Sequence, residues 1–356
     1  MKKKVDVKGF LERKNIEISV KRYAVEALSS MTLGLFASLL IGLIIKTIGE
    51  QLGIHAGETA FSLFLITVGN AAMAMVGPAI GVAVAYGLKA PPLVLFASVA
   101  TGYMGNMAWV EGGGAGGPAG AFVAALIGAE IGKIVSKETK VDIIVTPLVT
   151  ILVGGIIARL IGPAIGALMI ALGNVIMTAT ELQPFWMGII VAVIVGLVLT
   201  GPISSAALCI MLGLSGLAGG AATVGCCSQM IGFAVISFRA NGIGGLFAQG
   251  IGTSMLQIPN IVKKPWILAP PTLAAAVLGP VATIMFRMTN IPTGAGMGTS
   301  GLVGQIGTFT SMGFSLDTLW KVVLLHFVLP AALSFAFYLL LKKLRRFTDD
   351  DFKLNL

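Results

Sequence analysis

The chain has little charge. Only 11% of its 356 residues are Asp, Glu, Lys or Arg, against about 25% in an ordinary soluble domain, and a surface this poor in charge cannot be kept in water. Histidine and cysteine are equally scarce. Two histidines, His55 and His326, and three cysteines, Cys209, Cys226 and Cys227, give no metal-ligand spacing and no redox Cys-x-x-Cys pair, so neither a metal site nor any other cofactor is expected. Gly-x-Ser-x-Gly, Walker and HExxH signatures are absent as well, which removes the familiar soluble catalytic motifs.

What is present instead is apolar and small: 56% hydrophobic residues and 47 glycines. At roughly 20 apolar residues per crossing, the length accommodates about 10 to 12 transmembrane helices and no separate soluble domain. The sequence therefore reads as an all-α polytopic membrane protein. Apolar segments fall at about 29–49, 60–88, 92–110, 117–136, 142–160, 161–179, 186–212, 213–236, 243–262, 267–287 and 322–341, with a Gly-rich stretch at 293–315 that fits neither class. Residues 1–28 form a basic amphipathic lead-in, 29–341 the membrane domain, and 342–356 a cytoplasmic tail. No cleavable signal peptide is expected, because mostly polar residues precede the first apolar run. The net charge of +9 sits largely at the two ends, from Lys2 to Arg22 and from Lys342 to Arg346. That distribution sets membrane orientation, with both termini cytoplasmic, and does not point to nucleic acid.

A shift of 124 residues (201 − 77) superposes Gly77-Pro78 on Gly201-Pro202, Phe61 on Phe185, Lys140 on Lys264 and Pro147 on Pro271 without a gap. Two repeats, about 29–148 and 153–272, are expected. Five crossings each is an odd number, which places the repeats in opposite orientation, an inverted-repeat transporter architecture. One charge disagrees: counted from a cytoplasmic N-terminus, Lys133, Lys137 and Lys140 fall inside but Lys263 and Lys264 fall outside.

Several apolar runs are interrupted by groups able to bind a solute. Gly201-Pro202 with Ser204 and Ser205 should unwind a span near the midplane. The small-residue run from Gly213 to Gln229, and its mate ending at Asn106, are candidate re-entrant hairpins, although close helix packing explains their glycines equally well. Asn241, Gln249, Thr253, Ser254 and Gln257 follow, and Gln249, Thr253 and Gln257 would form one polar stripe on a continuous helix. Thr299 and Ser300 lie in the Gly-rich stretch. Neutral amides and hydroxyls suit a small uncharged, sugar-like solute. The expected solute-binding set is Asn106, Ser204, Ser205, Gln229, Asn241, Gln249, Thr253, Ser254, Thr299 and Ser300. Among acids, Glu130 and Glu111 are the candidates for a proton-coupled or substrate-binding carboxylate; the alternatives are a Glu130 pair with Lys133 and a solvated loop at Glu111.

TGPISSAALCIMLGLSGLAGGAATVGCCSQ from Thr200 to Gln229, its continuation to Asn260, and GAGMGTSGLVGQIG from Gly294 to Gly307 resemble the second enzyme IIC family of the bacterial phosphotransferase system, which also includes membrane proteins known as perfringolysin-type regulators. The resemblance implies a dimeric bacterial inner-membrane permease for a sugar-like solute. Phosphoryl transfer in such systems uses a IIB cysteine and a IIA histidine. The three cysteines here lie in apolar stretches where a thiolate is disfavoured, so either IIA and IIB are separate chains, or the protein moves solute without phosphorylating it, or it only senses. The alternative reading is a membrane regulator that binds a ligand without transporting it.

Overall fold

The computed structural model describes residues 7–56, 59–109, 115–201 and 205–354, which form helices and irregular turns with two isolated β-bridges. The chain divides into two compact units, Met1–Ile170 and Ala171–Leu356. Among the described residues seven helices are long and apolar enough to cross a membrane: Lys21–Gly53, Gly117–Val135, Asp142–Leu160, Gly162–Leu182, Gly216–Ile236, Pro265–Met285 and Leu316–Lys343. Ala60–Ala74 and Val76–Gly87, bent by 49° between them, bring the number to eight if the pair is taken as one span. The count of full spans is below the expected ten to twelve because other apolar runs are divided into short helices: Pro92–Asn106 has 15 residues, Pro184–Thr200 has 17 and Ser205–Leu212 has 8.

In the first unit the Lys21–Gly53 helix starts eight residues before the expected span, and Val7–Arg13 is a separate short helix. The helix Asp142–Leu160 shows why lipid is the solvent: Leu148, Leu152, Ile156 and Leu160 recur every fourth residue and all are exposed. That row is an outward apolar stripe at helical spacing. Pro147 lies inside this helix without ending it.

In the second unit Gly216–Ile236 is the core, with 89% of its most apolar window buried. Of the two readings of the 213–229 run, the hairpin does not form: from Gly216 onward it is one continuous helix. Its small residues serve close packing: a Cβ on Gly225 would overlap the Ala192 carbonyl of Pro184–Thr200. Where hydrophobic collapse supplies no drive between helices in lipid, such backbone approach does.

A hairpin does form, at 290–312. The chain enters through Pro292–Ala295, turns at Gly298 and Gly301, both left-handed (φ 54° and 53°), and returns as Val303–Met312. Gly294 meets Gly307 across it, a Cβ on the former lying 3.0 Å from the latter's Cα. Asn290 pins the base: its Nδ2 donates to Thr223 Oγ1 (2.6 Å), the Gly304 carbonyl (2.9 Å) and Thr308 Oγ1 (3.1 Å). The tip reaches Cys226 and Cys227, midway along the core helix.

The apolar run expected as a span at 243–262 is also broken. Phe238–Phe247 kinks at Gly242 (φ 60°), a π turn follows at Ala248–Gly252, Thr253 is extended, and Ser254–Gln257 and Ile258–Lys263 are a short 3-10 helix and a short α-helix. Asn241 and Gln257 both donate to the Phe352 carbonyl (2.9 and 3.1 Å), so the segment doubles back on itself. The C-terminal tail is docked here. Phe352 and Phe347 are buried against Tyr338, and Leu354 N–H donates to Asn241 Oδ1 (2.7 Å).

Helix starts in the two units recur at the 124-residue shift. Ala60 corresponds to Pro184, Pro92 to Gly216, and Asp142 lies within one residue of Pro265. The bend after Ala74 corresponds to the interruption after Thr200.

Candidate functional site

Polar side chains of the second unit gather around the middle of the Gly216–Ile236 helix. Gln229, fully buried, donates from Nε2 to Thr272 Oγ1 (3.0 Å) and accepts at Oε1 from Thr200 Oγ1 (3.3 Å). Thr200 also shares a hydrogen bond with Ser254 Oγ (2.8 Å). Gln229 and Ser254 are thus brought together, with Thr200 and Thr272 completing the group. Thr200 is the last residue of the Pro184–Thr200 helix and is buried.

The two broken segments meet beside this group. Thr299, at the hairpin tip, donates from Oγ1 to the Gly250 carbonyl (2.5 Å) in the π turn. A π turn misaligns its carbonyls, and one of them is here satisfied from the opposing segment. Ser205 donates to the Gly296 carbonyl (2.6 Å), tying the post-interruption helix to the same hairpin.

On another side of the core helix, Gln305 Nε2 lies 3.1 Å from His326 Nδ1 and 3.6 Å from Cys227 Sγ. Gln305 Oε1 and His326 Nε2 are buried without a partner. A buried amide oxygen and a buried ring nitrogen each cost roughly 1–3 kcal/mol if left dry. A water or a hydroxyl bonded to either would remove that cost.

The remaining expected residues do other work. Gln249 Nε2 donates to Ser237 Oγ (2.7 Å) and to the Gly245 carbonyl (3.0 Å), while its Oε1 accepts from Gln257 (2.9 Å). Asn241 holds the tail at both ends of its amide. These amides are satisfied within the protein and serve as a clasp. Thr253 caps Met255 N–H (3.1 Å) and is extended, so the anticipated stripe of Gln249, Thr253 and Gln257 on one helix does not exist. Ser300 is half-buried in the hairpin turn. Asn106 belongs to the first unit, against Gly77 at the end of Pro92–Asn106. Ser204 and Glu111 lie outside the described residues. Glu130 pairs with Lys133 at 2.9 Å.

Sequence reasoning left out Thr272, Gln305 and His326 as site members. A lone histidine or glutamine in an apolar run is the available signal, since polar groups inside spans face the interior. Nothing in the sequence tells which of them converge.

Long helices with outward apolar rows, enclosing amides, hydroxyls and an imidazole, define a polytopic helical integral membrane protein with a polar interior. Residues 25–354 match the family described as Phosphotransferase system, EIIC, and the chain belongs to that family. It is therefore a membrane permease of the sugar phosphotransferase system, a class that works with IIA and IIB proteins and a sugar substrate. No curated protein matches the chain at a significant level.

Proposed function

We propose that this permease carries an uncharged, sugar-like solute by alternating access, and that the solute is held where the 290–312 hairpin and the broken 238–263 segment meet the middle of the Gly216–Ile236 helix. The observation that carries the reading is the meeting itself. Thr299 joins the two tips through the Gly250 carbonyl, with Gln229, Thr200 and Ser254 on one side and the unpartnered Gln305 Oε1 and His326 Nε2 on the other. Interrupted segments at membrane depth are tolerated only where protein or a hydrated cavity covers them, and in carriers they surround the solute. Neutral donors and acceptors match hydroxyls without the cost of burying charge.

Crossing count supports a bacterial inner-membrane topology with both termini cytoplasmic. Counting Pro92–Asn106 and the pair Pro184–Thr200 and Ser205–Leu212 as crossings, and neither re-entrant segment as one, gives ten. Lys263 and Lys264 then return to the side of Lys133 and Lys137, which removes the disagreement with the charge rule. The dimeric state implied by the resemblance belongs to the same proposal.

Purified protein titrated with a panel of neutral sugars, read by thermal stability, tests the site. A sugar that raises Tm in the wild type is expected to lose at least tenfold affinity in Gln305→Leu and in Gln229→Leu. Equal affinity in both variants would place the solute elsewhere.

A further inference from the structure

A second site lies in the first unit, far in sequence from the polar interior just described and independent of it. A cavity of about 290 Å³ is lined by Arg13, Lys14, Asn15, Lys89, Pro91, Lys133, Ser136, Lys137 and Glu138. Four elements converge on it: the end of Val7–Arg13, the turn after Val76–Gly87, the start of Pro92–Asn106 and the end of Gly117–Val135 with the corner that follows.

Its charge is unbalanced. Five cations face one lining carboxylate, Glu138, which is already shared by Arg13 (2.9 Å) and Lys14 (2.5 Å). Lys133 is answered from behind by Glu130 (2.9 Å) and by the carbonyls of Asn15 and Leu88 (2.9 and 3.1 Å). Lys89 and Lys137 are exposed, and neither side chain forms an ion pair among the described residues. Helix C-termini attract lysines through a partial charge of about −0.5 each, so the two that end here, at Gly87 and Val135, offset about one positive charge. Asp142 accepts from Lys137 N–H (2.6 Å) and Thr146 Oγ1 (2.6 Å), and offsets a second in part. The cavity remains net positive.

The backbone is bent to achieve this. Asn15, Lys89 and Lys137 are all left-handed, with φ of 55°, 54° and 60°. A non-glycine residue in that region is uncommon and carries a cost. Glycine would relieve it at each position, yet two of the three are lysines that turn their chains into the cavity.

We propose that this cavity binds a phosphate group, supplied either by an anionic lipid headgroup or by a soluble phosphate ester, with Lys89 and Lys137 as its movable donors and Arg13, Lys14 and Lys133 as its fixed cationic wall. A compact anion with several acceptor oxygens matches ammonium groups that act as point charges. The position at one end of the bundle is where headgroups and juxtamembrane cations meet.

The test is acylation of the full-length wild-type protein with an amine-reactive reagent, read lysine by lysine by mass spectrometry, with Lys263 and Lys264 as internal references. One arm uses detergent micelles with inorganic phosphate against chloride at equal ionic strength. The other uses nanodiscs of phosphatidylglycerol against phosphatidylcholine. Protection of Lys89 and Lys137 by at least threefold, with the references unchanged, is expected in at least one arm. Protection by phosphate alone assigns a soluble ester, by phosphatidylglycerol alone a lipid headgroup, and by both the shared group. In the protecting arm, a Lys89→Gln/Lys137→Gln double variant should bind roughly tenfold more weakly, and Lys89→Arg/Lys137→Arg should retain binding. Protection in neither arm, or equal protection by both lipids without any by phosphate, overturns the proposal.

Discussion

Replacing Phe352 by Ala should release the C-terminal clasp. Phe352 is fully buried, with Phe347 at 5.2 Å and Tyr338 at 6.0 Å between ring centroids, and its carbonyl receives the Asn241 and Gln257 amides. Truncating a buried Phe costs about 3–5 kcal/mol. Ordering the tail from Phe347 to Lys353 already costs about 1–2 kcal/mol per residue, so the docked state has little reserve against such a loss. At about 1.4 kcal/mol per tenfold, the undocked population rises by roughly two orders of magnitude or more. Limited trypsin digestion reads that population directly when opening and closing are fast relative to cleavage. Arg345 and Arg346 are the sites, the latter held in the wild type 4.6 Å above the Trp266 ring. Phe352→Ala should be cut there about 100-fold faster, and Phe352→Leu much less so. A rate within about threefold of wild type would refute the assignment of Phe352 as the anchor.

The same clasp should resist mild acid. Hydrogen bonds from Lys342 (2.6 Å) and Tyr338, with Arg239 nearby, hold the Asp349 carboxyl below the usual carboxylate range near 3.9. Its contribution is complete above that range and is lost only as pH falls through the lowered value. Tail protection should therefore be flat from pH 8 to pH 5 and fall below about pH 4, whereas a decline between pH 7 and pH 5 would show another group in control. Gly225→Ala should lower thermal stability by about 1–3 kcal/mol or prevent assembly, since its methyl would overlap the Ala192 carbonyl; Gly244→Ala, with nothing within 4 Å, should be neutral, and equal effects would contradict the packing described for the core helix.

Much of the fold could be read from apolar run length, because lipid imposes one rule on every span. The 142–160 helix and the interruption at Gly201 follow directly from sequence. Small residues were ambiguous for a physical reason. Glycine permits a left-handed turn as readily as a close helix contact, and the outcome depends on what lies opposite. At Gly225 the opposing group is the Ala192 backbone, so the helix continues. At Gly298 the chain turns with φ 54° against Cys226, and the hairpin forms.

Which polar residues face inward was more legible than which of them meet. Gln229, Ser254 and Thr299 are buried, as polar residues inside apolar runs should be. Asn241 bonds the Phe352 carbonyl, more than ninety residues away in sequence, and Gln249 bonds Ser237, Gly245 and Gln257, partners that no sequence pattern announces. Thr272, Gln305 and His326 became visible only when the helices carrying them were placed beside the core helix. The 124-residue shift matches helix starts but not whole elements, since it sets the intact Gly117–Val135 helix against the broken stretch after Phe238.

The central claim is that solute passes through the polar interior where the two broken segments meet. Uptake of a labelled sugar into proteoliposomes, using a sugar that raises Tm of the purified protein, tests it most directly. Saturable uptake in the wild type and its loss by at least tenfold in Gln229→Leu and Gln305→Leu is the predicted result. Demonstrable sugar binding with no flux, or flux unchanged by both substitutions, would contradict the account.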